Sequence, residues 1–342
     1  MHQTKTGHTV TCIFENGHAA QLSIRPSETV YQAALRAGLS LETDCREGGC
    51  GVCKATLCSG QGDLGDFSDE ALSDQEVEEG FILTCQFRPA SDVVIQFPYD
   101  AEQREKAAVT GRLQTVERAA EDVMRLVIRP EEGFPPFLPG QYANIAGPGM
   151  AGTRSYSFAN APGQAEELEF FVRLLPRGEM SDYLRERARP GDAIQLFGPL
   201  GQFFLRPPVR PVLMVAGGTG LAPMLSMVRQ IAQSIDAPPP GTLLYGANRP
   251  EELFAEEELA AFGDWLTVHR IVKEAPAGDW TGPCGFVTDF LEAEILSVAR
   301  ESDAYLCGPP AMIDEARRRL TAAGVPAKRI HAEKFVAAVS KP

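Results

Sequence analysis

The sequence predicts a multidomain α+β and α/β protein built from three consecutive folding units. Three observations predict this. Before Tyr99, β-forming runs surround one short helical stretch and a loop rich in cysteine and glycine. From Ala108 to about Arg206, β-rich runs follow one another between turn residues. From about Pro207, apolar strands alternate with helical stretches. The expected boundaries are 1–100 for the first unit, 101–107 for a linker, 108–206 for the second unit and 207–342 for the third.

The 342 residues suffice for two or three domains with sizeable cores. With 44% hydrophobic and 23% charged residues the chain reads as a soluble globular protein, and it has no apolar run of about 18 residues to cross a membrane. The start, "MHQTKTGHTV", lacks the apolar core of a signal peptide, so a cytoplasmic location is expected. The formal charge of −14 argues against nucleic acid or an anionic membrane as partner and suits a basic protein.

In the first unit "TVTCIF", "AAQLSI" and "SDVVIQF" read as strands. "ETVYQAALRAGL" places Val30, Ala33, Ala34 and Ala37 at helical spacing, with Gly38 as a stop. This order suggests a small sheet packed on one helix. No basic residue lies between Lys54 and Arg88, while acids run from Asp63 to Glu79. A solvated surface and a docking patch are both open readings of that run. "DAEQREKAA" after Pro98 is polar and reads as the linker.

In the second unit "VMRLVIRP", "PGQYANI", "TRSYSFAN", "ELEFFVRLL" and "DAIQLFGPLG" suggest an antiparallel barrel or sandwich, interrupted by one helix over roughly Met180–Arg187. In the third, "VRPVLMVAGG" is a continuous apolar run of the kind buried in a parallel sheet. Helices are expected over Ala222–Ser234, near Glu251–Phe262 and near Thr288–Val298, with "GTLLYGA", "LTVHRIV" and "DAYLCGP" as strands. That alternation means βαβ units.

The eight cysteines include three in "DCREGGCGVCK" (Asp44–Lys54). Alone, such a loop could close disulfides, hold zinc or cradle an iron–sulfur cluster. A cytosolic chain of this size needs no staples. The spacing Cys45-x4-Cys50-x2-Cys53, with Cys85 thirty-two positions later, follows the plant-type [2Fe–2S] pattern. Zinc sites pair their cysteines in each half, whereas Cys85 stands alone, so the zinc reading is weaker. Two irons need four thiolates, and a loop bending round them suits Gly48, Gly49 and Gly51. Cys12 and Cys58 read as ordinary buried thiols. The segment resembles a plant-type ferredoxin domain, which implies a β-grasp fold with Cys45, Cys50, Cys53 and Cys85 as ligands.

"RSYSFAN" (Arg154–Asn160) offers a cation, a flat ring and a hydroxyl in one extended run, with Arg154 and Tyr156 on one face. A flavin needs a partner for its pyrophosphate, a stacking surface and a hydrogen bond near N5, and Arg154, Tyr156 and Ser157 could supply these. "RLLPRGEMSDYL" (Arg173–Leu184) puts Gly178 and Ser181 at a helix start, where free amides bind anions. A hairpin with a core tyrosine and a plain N-cap serine are the ordinary alternatives. Together, in this order, the two runs resemble the FAD domain of the ferredoxin–NADP⁺ reductase superfamily. The resemblance implies that Arg154, Tyr156, Ser157, Arg173, Gly178, Met180 and Ser181 hold FAD.

"VLMVAGGTGLAPMLSM" (Val212–Met227) is a strand, a glycine turn and a helix, suited to a phosphate. It departs from the G-x-G-x-x-G fingerprint but resembles the G-G-T-G-x-A-P turn of the same superfamily, as does "LCGPPAM" (Leu306–Met312). The resemblance implies coenzyme binding by Gly218, Thr219, Gly220, Cys307, Gly308 and Pro309. It also places Cys307 at the nicotinamide and Phe335 of "HAEKF" beside the flavin. For Cys307 a buried strand thiol is the plain alternative. In "YGANRPEEL", Glu251 and Glu252 could accept from a ribose 2′-OH, while Arg249 could hold a 2′-phosphate. The scarcity of cations favours NADH over NADPH.

The order ferredoxin, antiparallel β-barrel FAD domain and doubly wound parallel-sheet NAD domain spans nearly the whole chain. It resembles the reductase component of benzoate-, toluate- and anthranilate-type aromatic-ring-hydroxylating dioxygenases. The resemblance implies hydride transfer from NADH to FAD, then single electrons through [2Fe–2S] to a terminal oxygenase with a Rieske centre and non-haem iron. Tyr156, Ser157, Cys307 and Phe335 would border the reacting groups. The reductase of a di-iron monooxygenase, phenol or methane type, is the alternative; a zinc-holding binding scaffold is a different class of reading. The chain itself has no C-x-H…C-x-x-H pair for a Rieske centre, and its five histidines are scattered. Glu47 and the acidic run are where a partner is expected to dock.

Overall fold

The computed structural model describes residues 7–101, 105–163, 166–276 and 280–336. Residues 102–104 of the expected linker, and 337–342 at the end of the expected third unit, lie outside the described residues. The chain forms two compact units, Met1–Arg104 with Val336–Pro342, and Glu105–Phe335.

In the first unit β1 (His8–Ile13) pairs antiparallel with β2 (Ala19–Ile24). Helix α1 (Val30–Arg36) follows, opened by a Thr29–Gln32 capping box and closed at Gly38 with φ 74°. It buries Val30, Ala33 and Ala34, the stripe its spacing predicts. The cysteine loop leads into β3 (Lys54–Ser59), the short β4 (Gly62–Asp63), α2 (Asp74–Glu78), β5 (Phe81–Leu83), β6 (Arg88–Pro89) and β7 (Val93–Gln96). The sheet order is β2-β1-β7-β3-β5, with β1 and β7 parallel at its centre. The acidic run is not all solvated surface. Glu76 is buried, caps Ser73 and pairs with Lys54 Nζ at 2.5 Å.

The second unit begins with the antiparallel strands β8 (Ala107–Ala120), β9 (Val123–Pro130), β10 (Tyr142–Ala146), β11 (Arg154–Ser157) and β12 (Leu168–Arg173). Helix α3 (Glu179–Glu186) and β13 (Ala193–Leu200) complete this part. The order β11-β10-β13-β8-β9-β12 ends in an antiparallel bridge between Phe158 and Phe170, which draws β11 and β12 together. One sheet therefore curls into a nearly closed barrel; it is not a sandwich of two. Phe137, Phe158 and Phe170 fill its core.

The parallel part comprises β14 (Val212–Gly217), α4 (Leu221–Ser234), β15 (Gly241–Ala247), α5 (Glu256–Ala260), β16 (Leu266–Val272), α6 (Ala293–Ala299), β17 (Asp303–Gly308), α7 (Pro310–Ala322) and β18 (Ile330–Lys334). Its order is β16-β15-β14-β17-β18. The chain winds outward from β14 through β16, then crosses back to β17, so the switch point lies between β14 and β17. Val123, Ala159, Phe171 and Phe203 of the barrel share a core with β14, β15 and α4.

Two expected helices are broken. Over Glu251–Phe262 a 3-10 turn (Pro250–Glu252) is followed by extended Leu253, left-handed Ala255 (φ 57°) and then α5. The cause is burial of Phe254, which stacks on Phe171 at 4.5 Å and meets Tyr245 edge-on at 5.9 Å. Over Thr288–Val298 the 3-10 turn Val287–Phe290 ends at Leu291, and α6 starts only at Ala293, because Leu291 turns into the core.

Candidate functional site

In the first unit the four motif cysteines gather as two hydrogen-bonded pairs, Cys45 with Cys50 and Cys53 with Cys85. Among the described residues no three metal-ligating side chains converge on one point. Two thiol pairs suit a centre of two metals with two thiolates each, and do not suit one four-coordinate zinc. The Cys50 thiol, then the amides of Glu47, Gly49 and Cys50, hold Cys45 well below the usual thiol range. The Cys53 thiol, the Gly48 amide and the Gln86 side chain hold Cys85 below the usual thiol range despite burial. The loop thus presents N–H groups to sulfur, as thiolate ligands require.

The glycines of this loop differ. Gly48 (φ 76°) has no room for a Cβ against Asp66 O, and a Cβ on Gly51 (φ 73°) would lie 3.1 Å from Ala71 O. Gly49 has a negative φ and open space, so nothing in the loop requires it. Cys12 is buried as expected, but Cys58 is exposed, because its side chain leaves the covered face of β3.

In the second unit Arg154 of β11 reaches the start of α3, its Nη2 lying 3.5 Å from Glu179 Oε2. Tyr156 shares that face, and burial pushes its hydroxyl pKa up. Ser157 is buried opposite Tyr142 of β10. Helix α3 begins after Gly178 (φ 151°). Ser181 is therefore its third residue and not its N-cap. The buried Ser181 Oγ accepts from Leu175 N–H at 2.9 Å and so shapes the loop before the helix. Met180 packs into the barrel core, which leaves only its backbone for a ligand. Arg173 pairs with Asp122 (2.7 Å) and Glu252 (3.5 Å). A Cβ on Gly218 would come 3.9 Å from its Nη1.

The 3-10 turn Gly218–Thr219–Gly220 joins β14 to α4 at the switch point. A Cβ on Gly220 would overlap Cys307 O and lie 2.7 Å from Cys307 C. Gly308 (φ 150°) approaches Gly217 less tightly, a Cβ there lying 3.1 Å from the Gly217 amide nitrogen. Both glycines thus let the turn press against the end of β17. Pro309 caps α7, and Phe335 N–H donates to Gly308 O at 2.8 Å. Cys307 is fully buried, and burial together with the nearby Glu333 pushes its thiol up.

Glu333 is the residue that sequence reasoning missed. It faces Cys307 across β17–β18, its Oε2 has no hydrogen-bond partner, and burial raises it to about 8. The available signal was strand alternation, which puts Glu333 on the face of Phe335. A Cβ on Gly201 would lie 3.0 Å from the Tyr142 ring and 3.4 Å from Glu333 Oε1. Tyr142 is the strand partner of Ser157 and Glu333 that of Cys307, so Gly201 packs where the neighbours of β11 and β17 meet.

In the loop after β15, Glu252 is buried and accepts from Asn248 N (3.2 Å) and Nδ2 (2.9 Å). It is therefore turned inward, and Glu251 is the acid left at the surface. Arg249 pairs with Glu121 of the barrel and lies 3.5 Å from Glu252 Oε1.

Three family descriptions match in chain order: "2Fe-2S iron-sulfur cluster binding domain" over residues 13–90, "Oxidoreductase FAD-binding domain" over 110–205 and "Oxidoreductase NAD-binding domain" over 214–318. The chain is 37% identical to the toluate 1,2-dioxygenase electron transfer component of Pseudomonas putida, over 96% of this chain and 99% of that protein. It is 34% identical to the phenol 2-monooxygenase reductase component of a Pseudomonas species, over 93% and 92%. The crystal structure of a cytochrome P450 reductase from Amycolatopsis superposes with a TM-score of 0.69 at 28% identity, covering 96% of this chain and 99% of that one.

Proposed function

Since this chain belongs to the family of oxygenase electron transfer components with ferredoxin, FAD-binding and NAD-binding domains, we propose that it takes hydride from NADH and delivers single electrons to the oxygenase of an aromatic-ring-hydroxylating dioxygenase. Residues 1–100 serve as the ferredoxin domain, 108–206 as the FAD domain and 207–342 as the NAD domain. Bound there, FAD supplies the two-electron to one-electron conversion and a [2Fe–2S] cluster supplies the one-electron relay.

Cys45, Cys50, Cys53 and Cys85 would hold the cluster, and the loop amides that reach Cys45 and Cys85 would steady the thiolates. Arg154 and the first amides of α3 hold the pyrophosphate of FAD; Tyr156 and Ser157 face its ring. The turn Gly218–Gly220 and the α4 N-terminus take the coenzyme phosphates. Gly308, Pro309, Cys307 and Phe335 shape the nicotinamide side, and Glu333 borders it as a protonated acid near neutral pH. Arg249, tied to Glu121 and Glu252, is not free for a 2′-phosphate, which supports NADH as the donor.

The carrying observation is that Gly201 packs against both Tyr142, the strand partner of Ser157, and Glu333, the strand partner of Cys307, so the flavin-motif and coenzyme-motif strands converge there. A Rieske and non-haem iron oxygenase is the acceptor that the toluate-type likeness favours; the likeness to a phenol monooxygenase reductase keeps a di-iron acceptor as the second reading. Purified protein mixed with candidate oxygenases separates them. NADH consumption coupled to oxidation of benzoate, toluate or anthranilate is expected. Coupling only with a phenol oxygenase would establish the second reading, and a colourless protein holding stoichiometric zinc would overturn both.

A further inference from the structure

The strand that carries Arg154, Tyr156 and Ser157 continues into Phe158, Ala159 and Asn160. The next two carbonyl groups after Phe158 are claimed from the other half of the unit. Ser226 Oγ donates to Asn160 O at 2.7 Å, and Arg229 Nη1 donates to Ala159 O at 2.8 Å. Ser226 and Arg229 stand one turn apart on α4, the helix whose first turn follows Gly220. Ser226 is fully buried, and the Arg229 side chain is 17% exposed.

The rest of the Arg229 fork is fixed as well. Nε and Nη2 grip Glu258 at 2.6 and 2.7 Å, and Nη1 also pairs with Glu169. Glu169 in turn accepts from Arg125, and Arg125 donates to Glu117 at 2.7 Å. The alternating row Glu117–Arg125–Glu169–Arg229–Glu258 runs from the barrel to α5. Such a planar, bidentate fork cannot rotate without breaking several bonds together.

We propose that Arg229, assisted by Ser226, is a positioning residue for hydride transfer: it locks the exit of the β11 strand to the helix that begins at the Gly218–Gly220 turn. This rests on the function argued above. In that reaction the C4–H bond of the dihydronicotinamide breaks, its electron pair and hydrogen form the N5–H bond of the flavin, and NAD⁺ is left. The rate depends steeply on the spacing of those two atoms, and a displacement of about 1 Å set up far from the chemistry can cost on the order of a hundredfold. Arg229 touches Ala159 O, three residues beyond Tyr156, so it acts on that spacing through backbone and not through coenzyme affinity.

The test compares full-length holoprotein with Arg229→Gln, Arg229→Lys and Ser226→Ala in anaerobic rapid mixing with NADH and with NADH deuterated at the transferred C4 position. Expected are normal flavin content, half-saturation by NADH within about twofold of the parent, and a limiting flavin-reduction rate about tenfold lower in Arg229→Gln. Arg229→Lys should recover part of the rate, and the deuterium isotope effect should rise. In flavin-free protein, amide exchange over 158–161 should quicken in every variant. Parent-like rates and isotope effects in Arg229→Lys and Ser226→Ala would overturn the proposal, including the case where Arg229→Gln fails to fold. A loss seen only as weaker NADH saturation would overturn it too. If the parent flavin is not reduced by NADH at all, the failure belongs to the functional reading instead.

Discussion

Cys307 and Glu333 stand directly across from each other on the adjacent parallel strands β17 and β18, the thiol fully buried and the carboxyl oxygen Oε2 without a partner. Burial favours the neutral form of both groups. The folded value of Glu333, about 8, stands above its ordinary 4.5. Below pH 4.5 the acid is neutral in both folded and unfolded chain, and no stability is lost. Between there and about 8 the unfolded chain releases the proton while the folded chain keeps it, so stability falls as pH rises. Relative to Glu333→Gln, flavin-free protein should lose on the order of a few kcal/mol across that window. Urea unfolding of both proteins at a series of pH values checks this; parallel profiles would refute it.

The glycines of the cysteine loop give a second prediction. Gly48→Ala must enter a left-handed conformation and press on Asp66 O, whereas Gly49→Ala meets nothing within 4 Å. The first change should lower stability by about 1–3 kcal/mol and reduce the visible cluster absorbance. The second should stay within roughly 0.5 kcal/mol of the parent. Equal loss of colour in both variants would show that the loop is limited by something other than backbone space.

What the sequence made legible is what short-range chemistry dictates. The spacing of Cys45, Cys50, Cys53 and Cys85 reads directly, because a cluster loop leaves its ligands close together and its glycines beside them. The stripe of α1 and the apolar run of β14 read equally well, since each repeats the period of its own element. The break at Phe254 did not read, because the helical pattern of Glu251–Phe262 yields to a partner, Phe171, eighty-three residues earlier in the chain. Glu333 and Arg229 stayed hidden for the same reason: an ordinary surface-type residue becomes a half-buried one only when distant parts of the chain close over it. Ser181 shows the opposite error. Its residue type suggested a cap, and a helix that starts three residues earlier gave its hydroxyl a different partner.

A third prediction concerns coenzyme choice and Glu121. The Arg249 guanidinium, in the loop after β15, is paired with Glu121 and held near Glu252. Removing the charge of Glu121 should free Arg249 for a 2′-phosphate. Because the pair is exposed, the effect is modest: Glu121→Gln should raise kcat/KM for NADPH about two- to fivefold and leave that for NADH nearly unchanged. Steady-state assays with both coenzymes read this out. An unchanged ratio would place the discrimination in Glu251 or in backbone shape.

Electron exit is tested at Cys50. Its thiol is hydrogen-bonded to Cys45, and that bond together with burial pushes it up. Serine keeps the shape but is a poor ligand for iron, and one iron would lose half of its protein thiolates. Cys50→Ser should therefore lose the cluster absorbance and reduce cytochrome c with NADH at least tenfold more slowly, on the order expected when an obligatory relay is removed. Ferricyanide can draw electrons from the flavin unit directly, so its reduction by NADH should persist near the parent rate. Cys58→Ser serves as the control, since Cys58 is exposed and outside both thiol pairs, and it should behave as the parent in both assays. Survival of cytochrome c reduction in Cys50→Ser would mean that electrons leave from the flavin unit, and the two-pair cradle would then have no part in transfer.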